Sequence, residues 1–152
     1  MSTLTTSSHR IDVLHPLVAA SAGAVTFALA MTAGEVFSLN ADAGTGPATS
    51  WGEIAAYLGL VLAAMLVAIW LGVRARAGAP KRLSATALGL AIAAAVLFVA
   101  FWSGWPQTFG AVAMVLALEH RRRVGSFAAT TLAAFVIGAI ALVASAIIGV
   151  LG

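Results

Sequence analysis

The longest segment of this chain without a charged residue runs from Leu83 to Leu118 and covers 36 residues. An apolar helix of about 20 residues crosses the hydrocarbon core of a bilayer, so this segment is too long for one crossing and slightly short for two. Other uncharged segments cover residues 16–34, 54–73 and 124–152. The pattern predicts an all-α protein that is built from transmembrane helices.

The composition excludes an ordinary soluble domain. The chain is 62% hydrophobic and 9% charged, whereas soluble domains are about half apolar and a quarter charged. A soluble domain of this size keeps roughly a third of its unfolded surface in contact with water, and so few polar residues could not cover it. The chain has no cysteine, which excludes disulfides, thiolate metal sites and cysteine nucleophiles.

We predict a single membrane-embedded domain, 1–152, that is a polytopic transmembrane helix bundle with five spans. The spans cover approximately residues 16–37, 51–73, 83–102, 106–120 and 126–150. Pro106 divides the longest segment, because proline is favoured at the first position of a helix and Ser103 or Gly104 can cap that helix.

Polar residues also mark the starts of other spans. Ser50 and Glu53 form a capping box before the second span, and Ser126 is the expected N-cap of the fifth. A signal peptide is the alternative interpretation of the first span, since Arg10 could form its basic region and residues 28–30 its cleavage site.

The fourth predicted span is short, because its 15 residues rise only about 23 Å as an α-helix. If this segment turned back, Arg121, Arg122 and Arg123 would lie on the opposite side of the membrane from the cations between spans two and three. If it crosses, all eight Lys and Arg residues lie on one side, which the excess of cations in cytoplasmic loops favours. We therefore predict five crossings, with four as the alternative, a cytoplasmic N-terminus and an external C-terminus.

Most cations of the chain lie at the predicted cytoplasmic ends of the spans, in a group that we call the basic rim. Its members are Arg74, Arg76, Lys81, Arg82, Arg121, Arg122 and Arg123. Cations in such positions orient spans and attract anionic lipid headgroups, and the net charge of +3 therefore does not indicate nucleic-acid binding. The alanine-rich composition is typical of a GC-rich bacterial genome. We expect a multi-pass protein of a bacterial plasma membrane, with the lipid bilayer as its first partner.

Glu35 is the only acidic residue well inside a predicted apolar stretch, and ionisable groups inside membranes are candidate functional sites. Helical spacing places it on one face with Ser21, Ala28 and Thr32, and we expect that face to point into the bundle. We predict a polar intramembrane cluster of Glu35, Thr32, Tyr57, Ser103 and Gln107. Two interpretations of Glu35 stay open: a proton or cation site, or a carboxyl group near the interface that only fixes packing.

His15 and His120 are the candidate ligands for a metal or haem, and both lie at the cytoplasmic ends of their spans. Haem-binding bundles place histidines opposite one another inside the apolar layer, whereas these two lie at its edge. The helix dipole alone favours a histidine at a C-terminus, where His120 lies. We therefore expect neither a metal nor another cofactor.

The sequence contains no motif or long loop that indicates a catalytic pocket. We expect a non-enzymatic accessory or scaffold subunit, or a homo-oligomer, that acts through helix–helix association with its own copies or with another membrane protein. Small residues four apart in the fifth span, Ala134/Gly138 and Ala141/Ser145/Gly149, would allow helices to approach closely. The alternatives are an oligomeric proton or cation transporter that uses Glu35, and a redox subunit associated with haem or quinone.

Reporter fusions test the predicted topology. A reporter fused after Gly78 should be cytoplasmic and one at Gly152 external, because an odd number of crossings separates the two positions. Reporter enzymes that are active on only one side of the membrane measure this directly. Two cytoplasmic reporters would show that residues 106–120 do not cross.

Overall fold

The fold is an all-α bundle, seen in a computed structural model that describes residues 15–36 and 51–151. The helices are α1 (Pro16–Val36), α2 (Trp51–Arg76), α3 (Pro80–Val96), α4 (Trp105–Val124) and α5 (Ala129–Leu151), and a 3₁₀ segment, Leu97–Ser103, continues α3. The described residues contain no strand. The prediction of an all-α protein with five helices is confirmed.

Four of the five helices are long and apolar enough to cross a membrane. The candidate spans are Pro16–Gly34 in α1, Ala55–Arg76 in α2, Pro80–Ser103 in α3 with its 3₁₀ segment, and Ala129–Leu151 in α5. The chain is a multi-pass membrane protein. Helix α4 is not among these spans, because it combines polar residues in its first turn with Glu119 and three arginines near its end.

The helix boundaries follow local signals in the sequence. Pro106 lies in the first turn of α4, and Gly104 precedes that helix in the left-handed conformation, with φ 74°. The prediction that Ser126 caps the fifth helix is wrong, because α5 begins three residues later, at Ala129. The Ala128 carbonyl accepts the N–H and the hydroxyl of Thr131 there, 3.0 and 2.9 Å away. The predicted capping box at the start of α2 lies outside the described residues, since Ser50 and the Glu53 side chain are not described.

Helix α4 is the central helix of the bundle. It packs against α1, α2, α3 and α5. Its buried residues extend along its length and around its circumference: Pro106, Gln107, Thr108, Phe109, Gly110, Ala111, Val112, Ala113, Leu116, Ala117, Glu119 and His120. The least apolar helix is therefore the one that the other four shield from lipid.

Two glycine contacts hold α4 close to its neighbours. A Cβ atom added to Gly110 would lie 2.6 Å from the backbone oxygen of Gly138 in α5, and one added to Gly23 of α1 would lie 2.6 Å from the backbone oxygen of Gln107. Such close approach maximises van der Waals packing, which drives helix association in lipid. The small residues of α5 from Ala134 to Gly149 are buried in the same way. They pack within the chain and therefore do not indicate oligomerisation.

The turn between α3 and α4 lies near the end of the bundle opposite the basic rim, which we call the outer end. The helices α1 and α2 extend beyond the turn at this end. A Cβ atom at Gly104 would lie 3.1 Å from the side chains of Phe27 and Val61. Nine residues of α1 follow Phe27 and ten residues of α2 precede Val61, so those helices extend about 13–15 Å beyond the turn. The first turn of α4 is thus enclosed by neighbouring helices.

The opposite end of α4 reaches the connection between α2 and α3. The Arg123 guanidinium donates hydrogen bonds to the backbone oxygens of Arg76, at 3.0 Å, and Gly78, at 3.4 Å. The three consecutive arginines therefore lie at the same end of the bundle as the other cations of the basic rim. Which side of the membrane this end faces stays a prediction.

A matched pair of glycine variants tests the central packing of α4. Gly110→Ala should lower the free energy of unfolding by roughly 1–3 kcal/mol, because its new methyl group overlaps the backbone of α5. Gly89→Ala is the control, since no atom lies within 4 Å of its added Cβ, and it should be neutral or stabilising by up to about 1 kcal/mol. Denaturation in mixed detergent micelles, followed by circular dichroism, measures both. Equal stability of the two variants would contradict the central packing.

Candidate functional site

A buried carboxylate lies near the C-terminus of α4, at the end of the bundle that carries the basic rim, which we call the inner end. Glu119 is only 2% exposed, and its two oxygens face two arginines of the same helix. Oε1 accepts a hydrogen bond of 2.8 Å from Arg123 Nε, whereas Oε2 lies 2.8 Å from Arg122 Nη2 in an ion pair without hydrogen-bond alignment. Charge pairing therefore compensates the burial of this carboxylate.

Arg123 connects this carboxylate to the neighbouring helices. Its Nε donates to Glu119, and its two terminal nitrogens donate to the carbonyls of Arg76 and Gly78. One guanidinium thus joins α4 to the end of α2 and to the loop that follows, and it satisfies carbonyls that a helix C-terminus leaves without partners. We call Glu119, Arg122 and Arg123 the inner ion cluster, and its geometry indicates a structural role.

The two candidate histidines have different environments. His15 precedes α1, and its Nδ1 accepts a hydrogen bond of 3.2 Å from the Leu17 N–H. His120 is buried, and its Nδ1 has no hydrogen-bond partner among the described residues. Pro16 of α1 and Val112 of α4 lie against the same glycine, Gly72, and are therefore at the same level of the bundle. His120 follows Val112 by eight residues, so it lies about 12 Å farther along α4 than the level of Pro16, the neighbour of His15.

This offset does not favour a haem held between the two imidazoles, because axial ligands bind opposite faces of one iron at the same level. Within residues 15–36 and 51–151, no group of three His, Cys, Asp or Glu side chains could hold a metal ion.

Two other arginines of the basic rim lie on aromatic rings. The Arg74 guanidinium lies 5.5 Å from the centre of the Trp70 ring, and the Arg121 guanidinium lies 4.9 Å from the centre of the Phe127 ring. Phe127 also packs against Phe135, with 6.2 Å between ring centres. Both guanidinium groups are held in place while they stay exposed to solvent or headgroups.

A second set of buried polar groups surrounds the enclosed turn between α3 and α4. Thr108 Oγ1 donates to the Gly104 carbonyl at 2.8 Å, and Ser103 Oγ donates to the Ala100 carbonyl at 2.6 Å. Gln107 is 1% exposed, and its Nε2 donates to the Phe101 carbonyl at 3.3 Å while its Oε1 has no partner among the described residues. These bonds go to backbone carbonyls of the 3₁₀ segment and of Gly104, and the Gly104 carbonyl also accepts the Thr108 N–H at 3.2 Å.

The structure does not join the predicted polar cluster by hydrogen bonds between its described side chains. Ser103 and Gln107 both lie at the turn, and Tyr57 is near it, since its ring meets the Trp102 ring edge-on at 6.4 Å. Thr32 is exposed on the outside of the bundle. Glu35 belongs to the last turn of α1, and its side chain lies outside the described part of the structure.

The prediction that the face of α1 carrying Ala28 and Thr32 points into the bundle is wrong. Both residues are exposed, whereas the buried face carries Ala20, Gly23 and Phe27. That face is buried because its small residues admit the backbone of α4. Polar character alone does not identify the inner face when hydroxyl groups can bond to their own helix, as Thr26 does to the Ala22 carbonyl at 2.8 Å.

The spacing of Glu119, Arg122 and Arg123 in the sequence is a signal for the inner ion cluster, although the sequence analysis did not predict this cluster. Glu119 precedes Arg122 and Arg123 by three and four residues, which is the spacing at which side chains on one helix face can pair. The burial of the carboxylate was not predictable from that spacing. It depends on the central position of α4.

An apolar groove of about 380 Å³ lies between the middle of α5 and the junction of α3 with its 3₁₀ segment. Its lining consists of Ala95, Phe98, Ile137, Ile140, Ala141 and Ala144. These side chains include no acid, base or nucleophile, so the groove offers an apolar surface and no catalytic chemistry.

No family model, curated protein or solved structure matches the chain. Function is therefore inferred from its own residues.

The inner ion cluster can be tested with two arginine variants. Arg123→Gln should lower the free energy of unfolding by about 2 kcal/mol, because the guanidinium bonds a buried carboxylate and two carbonyls. Arg122→Gln should lower it by no more than about 1 kcal/mol, since that side chain is 59% exposed and surface pairs contribute little. Denaturation in mixed micelles measures both. A larger loss for Arg122→Gln would show that Arg123 does not connect the helices.

Proposed function

We propose that this chain is a non-catalytic membrane protein that acts by helix–helix association within the bilayer, and that α2 is its associating helix. The partner is a second copy of the chain or a helix of another membrane protein. The observation that carries this proposal is the exposure of α2, which is bound to the rest of the bundle along one narrow face.

The attachment of α2 uses small residues. Ala64, Ala68, Gly72 and Ala75 are buried against α1 and α4. The remaining sides of the helix carry large exposed residues: Leu58, Leu60, Leu62, Leu66, Val67, Trp70 and Val73. A smaller share of this span is buried than in any other candidate span of the described residues. Its apolar surface therefore supports contact with a partner helix as well as with lipid.

Gly59 supports the same proposal. It is exposed, and no atom among the described residues lies within 4 Å of an added Cβ. A glycine inside a helix is about 1 kcal/mol less favourable than alanine, and packing among the described residues gives no reason for it. Gly89 of α3 is equally open, so the argument for Gly59 rests on its position on the exposed side of α2. In membrane helices, small residues on an outer face let the backbone of another helix approach closely.

The polar groups support a non-catalytic role. Glu119 contacts Arg122 and Arg123, while Ser103 and Thr108 donate to nearby carbonyls. A catalytic site needs polar groups that converge on a space where a substrate fits. Gln107 Oε1 and His120 Nδ1 are buried without a partner among the described residues, but they lie at opposite ends of α4 and do not converge on one space, which favours a structural role for the polar groups.

We also propose that the end carrying the basic rim faces the cytoplasm of a bacterium, across its plasma membrane. Seven cations lie at that end, and cytoplasmic loops carry the excess of lysine and arginine in membrane proteins. An accessory or scaffold subunit in that membrane would present α2 to its partner laterally.

Cysteine cross-linking tests association through α2, since the native chain has no cysteine. Leu62→Cys places a thiol on the exposed side of α2, and Ile140→Cys is the matched control on α5, with exposures of 56% and 62%. After dilution into liposomes and oxidation, Leu62→Cys should form covalent dimers and Ile140→Cys should not. Gly59→Leu should then reduce the dimer fraction several-fold in the Leu62→Cys background, whereas Gly89→Leu should not.

A partner other than a second copy gives a different result. In that case the Leu62→Cys variant stays monomeric, but the same membrane protein co-purifies with the chain in mild detergent in every preparation. That protein should no longer co-purify with the Gly59→Leu variant. Equal cross-linking of both cysteine variants, or a monomer without a constant partner, would contradict the proposal.

A further inference from the structure

The inner end of the bundle carries a large excess of positive charge. Seven cations form the basic rim, and the only carboxylate described among them is Glu119. Glu119 already contacts Arg122 and Arg123, and the Arg123 donors are further used by two backbone carbonyls. Four other cations of the rim, Arg74, Lys81, Arg82 and Arg121, have no carboxylate partner among the described residues, so their charge attracts anions to this end of the bundle.

Arg74 and Arg121 differ from the other exposed cations of the rim because each lies on an aromatic ring. The Arg74 guanidinium lies 5.5 Å from the Trp70 ring centre, and the Arg121 guanidinium lies 4.9 Å from that of Phe127. When the face of a guanidinium group contacts a ring, the N–H donors at its edge stay available. They can donate hydrogen bonds to a planar anion such as a carboxylate or to a tetrahedral anion such as a phosphate. The ring also limits the rotamers of the arginine, so less side-chain entropy is lost on binding.

Both guanidinium groups lie at the ends of candidate spans, since Arg74 is two residues before the end of the α2 span and Phe127 is two residues before the start of the α5 span. Trp70 is 60% exposed on a candidate membrane span, one turn before Arg74. Tryptophan is enriched at the boundary between acyl chains and headgroups. Val73, next to Arg74, is also exposed, so an anion bound there could have an acyl chain beside it on α2.

We propose that Arg74 on Trp70 and Arg121 on Phe127 form two binding sites for the phosphate groups of anionic phospholipids at the inner surface of the membrane. Each guanidinium binds the phosphate through its edge, while apolar residues beside the ring contact the lipid tail. The sites select anionic lipids over zwitterionic lipids, because the excess charge of the rim attracts a net negative headgroup.

Native mass spectrometry of the full chain in detergent micelles tests this assignment with phosphatidylglycerol and phosphatidylcholine as probes. The native protein should bind phosphatidylglycerol more tightly. The control Lys81→Gln/Arg82→Gln removes the same charge from the same end, and it should weaken the binding by no more than about fivefold for each residue, which is the general attraction of a surface cation. The double variant Arg74→Gln/Arg121→Gln also loses the hydrogen bonds from the guanidinium edge to the phosphate, so it should weaken the binding by more than about tenfold for each site lost.

Two further measurements distinguish a lipid site from a general attraction of anions to the basic rim. Trp70→Leu and Phe127→Leu keep the charge and remove the rings, and each should weaken phosphatidylglycerol binding. Inorganic phosphate at millimolar concentration should not displace the lipid. Circular dichroism verifies that each variant is folded.

Three outcomes would overturn the proposal. Equal losses in the two double variants would show an unselective charge effect. Equal binding of the two lipids would remove the selectivity. Displacement by inorganic phosphate would show a site for soluble anions, without a role for the lipid tail.

Discussion

The polar character of α4 is the constraint on which the rest of this bundle depends. A helix that carries buried Gln107, Glu119 and His120 cannot lie against acyl chains, because each unpaired polar group in hydrocarbon costs several kcal/mol. Four apolar helices therefore enclose it, and their glycine and alanine residues allow them to approach it closely. The outer faces of these four helices are left for lipid or partner proteins.

The two ends of α4 show how polar groups are accommodated inside such a bundle. At the inner end, Arg123 pairs with a buried carboxylate and bonds the end of α2. At the outer end, Ser103, Gln107 and Thr108 donate to the carbonyls of Ala100, Phe101 and Gly104 at the turn between α3 and α4. Both ends use these polar groups in contacts within the chain, which supports the proposed non-catalytic role.

The sequence predicted only part of the candidate site. The sequence identified Gln107 and Ser103 as polar residues of one turn, and it placed seven cations at one end of the predicted spans. It contained the spacing that pairs Glu119 with Arg122 and Arg123, but it did not indicate the burial of Glu119, because a carboxylate beside three arginines is usually solvated. It also assigned the wrong inner face to α1, since a buried face in lipid is defined by small residues and not by polar ones.

The sequence by itself determined that the chain is helical, that it is embedded in a membrane and where its helices begin and end to within a few residues. Long uncharged segments and the prolines between them are local signals, because their effect on a helix does not depend on which other helices pack against it. Only the tertiary structure decided that the shortest and most polar predicted span lies at the centre, and that the small residues of α5 are used within the chain. Burial depends on which helices surround a side chain, and this is a property of the packed bundle that no single segment carries.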